Sequence, residues 1–229
     1  MHPPLARGYH RKLNNKPTVT PKNLVLDIGN VLCRWDGPAL LQQVFPDTHE
    51  RELANQALVQ HEDWIKLDAG LLTVDEAAER AAVRSGVQVE RLIALLQTLP
   101  ASLTPFADTH RAVVEVQNAG VPVYILSNMQ AHCWSHLAAE HRVFDDCRGV
   151  VVSCDVQLTK PDAAIYQALT DRFSLNPEAC IFVDDMPENV AAAHACGWQA
   201  RQLATPSGGP ALIKELASLI LSGDTPAAR

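Results

Sequence analysis

The chain has 229 residues, 47% of them apolar and 20% charged, with a formal net charge of −7 at pH 7. That length is long for one domain and short for two large ones, and the apolar share is enough for a real core. An acidic body argues against broad nucleic-acid binding, which needs clustered Lys and Arg, and no window approaches the ~18 continuous apolar residues of a membrane span.

Residues 1–22 stand apart. They hold Pro3, Pro4, Pro17 and Pro21, five cations (Arg7, Arg11, Lys12, Lys16 and Lys22) and no acidic residue, the composition of a disordered basic tail. The opening lacks the charged–apolar–small order of a secretion signal, so a soluble, cytoplasmic protein is expected. Next comes "NLVLDIGNVL", in which Leu24, Val25 and Leu26 read as a buried strand stopped by Asp27. The pair Gly29–Asn30 follows, and the backbone at Gly29 is expected to be supple. Residues 38 to about 99 show no strand pattern and read as helices around 38–45, 48–60, 62–68, 74–85 and 88–98. Thr73, with Asp75 and Glu76 behind it, starts one of these and Gly86 stops it.

The pattern then changes. A helix over 105–119 ends at Gly120, and "VPVYIL" (121–126) is a β-branched apolar run. A helix near 130–140, the strand "GVVVS" (149–153) and a helix from Pro161 to about Arg172 follow. The strand "ACIFV" (179–183), a helix over 187–196, a strand near 198–203 and a helix over 210–221 complete the order, with 223–229 read as a flexible C-terminus. Strands that alternate with helices and are apolar on both faces predict an α/β fold, a parallel sheet covered on both sides.

Such sheets bind ligands beyond the carboxyl ends of their strands. The first strand ends on Asp27, the second on Ser127–Asn128 and a later one on Asp184–Asp185. Each has an ordinary alternative. Ser127 or Asn128 would suit a helix cap, as would Asp185 ahead of the helix opened by Pro187. Lys160 precedes Pro161, a residue suited to the first position of a helix, and a cation there opposes the helix dipole; an anion nearby would explain it. At ~4 Å and an effective dielectric of about 20, each pair of converging carboxylates costs about 4 kcal/mol. A compensating cation is expected, and hard oxygen ligands that leave room for water and phosphate suit Mg²⁺. Backbone amides, the Ser127 hydroxyl and Lys160 would then hold phosphate oxygens while a carboxylate attacks. The pattern asks for phosphoryl transfer.

Other clusters carry less. The six cysteines (33, 133, 147, 154, 180 and 196) form no CxxC pair and read as buried reduced thiols. His132 and His136 have helical i, i+4 spacing but no second ligand pair, and read as a solvated helix face.

Four segments in order resemble the haloacid dehalogenase superfamily: "LVLDIGNVL", "YILSNM", "LTKPD" and "IFVDDMPENV". The resemblance covers about residues 23–205. "W-x-x-x-D-x-G-x-x-T", Trp64 to Thr73, is similar to a cap segment of the bacterial α-D-glucose-1-phosphate phosphatase branch, which shares the "D-x-G-N-V" opening. The resemblance implies a Rossmann-like doubly wound core over 23–37 and 101–222 with a helical cap over 38–100. It implies Asp27 as nucleophile and Mg²⁺ ligand, the Gly29 carbonyl and Asp185 as further ligands, and Asp184 in support. Ser127, Asn128 and Lys160 would bind the phosphoryl group of a small phosphoester, with sugar phosphates suggested by the branch. Neither nucleic acid nor membrane is an expected partner, and oligomeric state is not legible.

One position departs from the family. Most phosphatases of the superfamily carry Asp two residues after the nucleophile as general acid and base, a function worth roughly 10²–10⁴ in rate; here that residue is Gly29. A cap residue, His61, Glu62 or Asp68, or a metal-bound water is expected to supply the proton. Trp64, Arg34 and Trp35 are expected near the mouth, touching substrate or packing cap on core. Two other readings fit parts of the pattern. A dehalogenase would use Asp27 without metal, although that branch usually carries an aromatic residue at the place of Gly29. A binding protein would have lost turnover with its acid–base residue.

Overall fold

The computed structural model describes residues 19–223. Residues 1–18 of the expected tail and 224–229 of the expected flexible end lie outside the described residues. Five parallel strands form one sheet in the order β3-β2-β1-β4-β5: β1 Asn23–Leu26, β2 Val123–Ser127, β3 Gly149–Val152, β4 Cys180–Asp184 and β5 Gln199–Gln202. In register, Leu26 lies between Ile125 and Val183. The chain winds outward from β1 on one side through β2 and β3, then returns to add β4 and β5 on the other, which makes the end of β1 a switch point of the winding.

Pleating sends alternate side chains to opposite faces, and here both faces are covered. Leu24, Leu26, Val123, Ile125, Ile181 and Val183 enter one core; Val25, Tyr124, Leu126, Cys180 and Phe182 enter the other. The strands therefore read as unbroken apolar runs rather than alternating ones. Ahead of β1 and β4, residues 19–22 are tied to the fold: the Lys22 N–H donates to the Ala179 carbonyl and Gln199 Nε2 to the Val19 carbonyl, each at 2.8 Å.

Between β1 and β2 run α1 Gly37–Val44, α2 Thr48–Ala54, a π turn Asn55–Val59, α3 Glu62–Asp68, α4 Val74–Ser85, α5 Val89–Ser102 and α6 Ala107–Asn118. The single helix expected over 48–60 is broken by that π turn, whose wider winding still leaves Ala57 and Leu58 buried. The start and stop of α4 are as read: Thr73 and Glu76 form a reciprocal capping box, and Gly86 closes the helix at φ +73°. The helical insert shares apolar packing with the core. Its Leu40, Phe45, Leu58, Leu92, Leu95 and Leu96 are fully buried in the same apolar cluster as Ile28 and Leu32 of the loop after β1.

After β2 come α7 Ala131–Glu140, the short α8 Ser153–Val156 behind β3, α9 Ala163–Phe173, α10 Pro187–Ala195 and α11 Gly209–Ser222. Two expectations need correction. Pro161 does not open α9: Asp162 caps the helix through the Ala164 N–H at 2.9 Å, so the helix starts two residues after the proline. His132 does not simply face solvent; its Nε2–H donates to the Leu96 carbonyl at 3.0 Å and ties α7 to α5. The six cysteines are unbridged, and burial pushes the thiols of Cys33, Cys133, Cys147 and Cys180 up to about 12, as suits packing residues. Among the described residues no helix is long and apolar enough to cross a membrane.

Candidate active site

The carboxyl ends of β1, β2 and β4 bring the expected residues together. Asp27 follows β1, its N–H bonded to the Val183 carbonyl of β4 at 3.0 Å, so two strands fix its backbone. Ser127 and Asp184 are the last residues of β2 and β4. Asp27, Asp184 and Asp185 each offer a carboxylate oxygen, all within 4.8 Å of one another. Lys160 enters from the loop before α9, and its Nζ lies 2.7 Å from both Asp27 Oδ1 and Asp184 Oδ2.

Most of this is out of water: Asp27, Ser127, Lys160 and Asp184 are buried, and Asp185 is half-buried. Burial raises the Asp27 carboxyl to about 6, with Lys160 pulling it down and Asp184 pushing it up. Burial alone would lower Lys160, but Asp27 and Asp184 hold it above its ordinary value, so it stays charged. The anion that the lysine requires is this pair of carboxylates.

Polar residues that the sequence reading passed over hold the cluster in place. Asn189 Nδ2 donates to Asp184 Oδ1 at 3.0 Å and to Oδ2 at 3.1 Å, and the Met186 N–H reaches Asp184 Oδ1 at 2.8 Å. Asp184 is thus saturated, fitted to positioning Lys160, whereas burial lifts Asp185 and Asn30 Nδ2, at 3.0 Å from its Oδ2, steadies it. Asn128 clasps the Lys160 backbone, accepting its N–H at 2.8 Å and donating to its carbonyl at 3.0 Å. That leaves one side-chain N–H of Asn128 for a ligand. Ser127 Oγ makes a long 3.5 Å contact to the Asn128 carbonyl and helps hold the Asp27 carboxyl down.

The alternative capping duties are not taken up. Gln130 precedes α7 and Met186 precedes α10, neither through a side-chain hydrogen bond, which leaves Ser127 and Asp185 free of helix-capping work. In the turn after β1 the unusual backbone conformation does not fall on Gly29. The left-handed residue of the turn is Asn30, at φ +52°, while a Cβ on Gly29 would meet its nearest outside atom, Asp27 Oδ2, at 4.0 Å. Glycine is therefore not forced there by the backbone; what the position lacks is a side chain.

A cavity of about 290 Å³ lies over these groups. Asp27, Gly29, Asn30, Ser127, Lys160 and Asp185 make its polar floor, and Trp35, Trp64, Leu99, Leu103, Met129 and Met186 contribute apolar wall. Trp35 and Trp64 stack at 5.5 Å between centroids, joining the loop after β1 to α3. Arg34 is exposed and lines a neighbouring groove that shares Asn30 and Trp35, not the cavity itself. Of the three proton donors suggested in the insert, Asp68 alone is among the residues lining the cavity.

The chain is thus a parallel α/β protein with an acidic, lysine-bridged crevice at the switch point of its sheet. The sequence pattern of the haloacid dehalogenase-like hydrolases matches residues 21–197, and the chain belongs to that family. It is 27% identical to sesquiterpene phosphatase astK of Aspergillus oryzae over 78% of this chain and 87% of that one. Drimenol cyclase drtB of Aspergillus calidoustus is 28% identical over 82% of this chain, which spans 37% of that longer protein. In fold the chain resembles a haloacid dehalogenase family enzyme from Bacteroides thetaiotaomicron, solved with magnesium and inorganic phosphate. The TM-score is 0.62 at 21% identity, over 80% of this chain and 93% of that one.

Proposed function

We propose that the protein is a Mg²⁺-dependent phosphatase of small phosphoesters that works through an aspartyl phosphate on Asp27. The observation that carries this reading is a charge imbalance: three carboxylates, two of them buried, converge where Lys160 is the one cation among the residues lining the cavity. A divalent ion restores neutrality, and an all-oxygen donor set suits Mg²⁺. Asp27, the Gly29 carbonyl and Asp185 would hold it, with Asp184 in support, and the ion when bound would neutralise phosphoryl oxygens.

In this reading Ser127 Oγ, the remaining Asn128 N–H and Lys160 bind and orient the phosphoryl group, and an Asp27 oxygen attacks phosphorus. The insert, residues 38–100, acts as a cap over the core of 23–37 and 101–222 and limits access to small substrates. The sugar-phosphate preference rests on the branch resemblance. The apolar wall, and similarity to a protein named as a sesquiterpene phosphatase, favour an ester whose alcohol presents hydrocarbon surface. Six unbridged thiols suit a reducing compartment, supporting a cytoplasmic location.

The test is phosphate release from hexose, alkyl and prenyl phosphates, with Mg²⁺ and with chelator, for wild type and Asp27→Asn. Release that requires both the metal and Asp27 is expected, fastest on esters with an apolar alcohol. Ester binding without release would make the protein a binder, and chelator-insensitive halide release from a 2-haloacid would make it a dehalogenase.

A further inference from the structure

An ester's alcohol leaves as an alkoxide and needs a proton, which Gly29 cannot give. The structure separates the three candidates of the insert. His61 Nδ1 accepts the Asp63 N–H at 3.2 Å as the cap of α3. Glu62 is exposed and paired with Lys66 at 2.7 Å. Asp68, the last residue of α3, lines the cavity together with Asp27 and Gly29.

Asp68 is also anchored from the core side. Ser153 Oγ, at the end of β3, donates to the Asp68 carbonyl and accepts the Met129 N–H, the latter at 2.8 Å. Gly70 comes so close to α8 that a Cβ there would lie 2.8 Å from the Cys154 carbonyl oxygen. In the same cavity, Gln130 is 3% exposed, and the partner its side chain faces is the Asp68 carboxyl, whose charged form it favours. It is a buried amide set in a largely apolar wall.

We propose that Asp68 is the proton carrier of the reaction, supplied by the insert in place of the residue two after the nucleophile, with Gln130 as the residue that positions it. The inference rests on the phosphatase reading above. As Asp27 bonds to phosphorus, the bond from phosphorus to the ester oxygen breaks and the Asp68 carboxyl passes its proton to that oxygen, releasing the alcohol. The Asp68 carboxylate then takes a proton from water as the water oxygen bonds to phosphorus. The Asp27–phosphorus bond breaks, phosphate leaves, and both aspartates return to their starting forms.

The surroundings suit a carboxyl that holds its proton near neutrality. Burial raises Asp68 to about 7, and Gln130 opposes part of the shift. Cys133 on α7 and Cys154 on α8 face it as thiols pushed up to about 12 and about 11, and so stay neutral. Asp27, Lys160 and Asp185 share the cavity floor.

The experiment compares kcat/KM for a primary alkyl phosphate and for p-nitrophenyl phosphate, with Mg²⁺, in wild type and Asp68→Asn. A general acid matters most for the strongly basic alkoxide, so the alkyl ester should lose about 10²-fold or more and the nitrophenyl ester less than about tenfold. In wild type, alkyl-ester activity should fall as pH rises through about 7, where Asp68 loses its proton, and Asp68→Asn should lack that limb. Gly29→Asp in the Asp68→Asn background should recover part of the alkyl-ester rate, since a side chain at 29 has room. Should Asp68→Asn fail to fold, Gln130→Leu should move the limb to higher pH. Equal losses on both esters, no loss, or a limb unmoved in Gln130→Leu would overturn the proposal. If folded wild type turns over neither ester, the phosphatase reading falls, and this proposal with it.

Discussion

Lys160 bonds two buried carboxylates at once, so a change there acts on stability and on activity together. Lys160→Met leaves Asp27 and Asp184 without their cation, and breaking a buried pair from one side costs about 3–5 kcal/mol. Urea unfolding should show a loss near the lower figure, because Asn189 and the Met186 N–H still hold Asp184; a loss below about 1 kcal/mol would refute the assignment. Asp68 works in the opposite direction. Its carboxyl is raised from 3.8 to about 7, so the fold favours the neutral form, and that contribution is complete below the unfolded value and lost as pH rises through about 7. Asp68→Asn removes the charge and should stabilise the protein at pH 8 by about 2 kcal/mol, a gain that vanishes below pH ~4. Thermal melts across pH read both the sign and the window.

At the scale of elements, the stretch from α3 to α4 shows how the "D-x-G-x-x-T" pattern works physically. Asp68 faces the cavity, Gly70 at φ +67° lets the turn close on Cys154, and Thr73 starts the next helix. Gly70→Ala adds both a left-handed strain of about 1–2 kcal/mol and a collision with backbone. It should lower stability by at least that much and reduce alkyl-phosphate turnover more than nitrophenyl-phosphate turnover, since it displaces Asp68. Elements of this kind were legible in the sequence because their signals are local: the helix start at Thr73, the stop at Gly86, and strands that run from apolar residues straight into Asp27 and Asp184. What was not legible depends on partners distant in the chain. That Asn128 clasps residue 160, that Asn189 saturates Asp184, and that Gln130 faces Asp68 follow only from how β2, α3, the loop before α9 and α10 meet. Which residue of the turn after β1 is left-handed was not legible for the same reason: it is Asn30, not its neighbour Gly29.

For the whole molecule, the acidic floor makes stability depend on what binds there. An ion held only by the folded state adds about 2.7 kcal/mol at one hundred times its dissociation constant. Mg²⁺ should therefore raise the melting temperature of wild type in a concentration-dependent way, and Asp185→Asn should weaken that response without abolishing folding. An equal response in both proteins would place the ion elsewhere. The shared apolar cluster of insert and core makes the two parts expected to unfold together, in one transition rather than two.

Trp35 and Trp64 belong to different parts of the chain, yet they stack on each other in the cavity wall. The protein therefore carries its own optical probe. Any ligand that parts the two rings, or any swing of α3 away from the loop after β1, changes the environment of two of its four tryptophans. Stopped-flow fluorescence on unlabelled protein should time substrate arrival directly, and Trp64→Phe would reduce the signal while leaving the aspartates of the floor untouched.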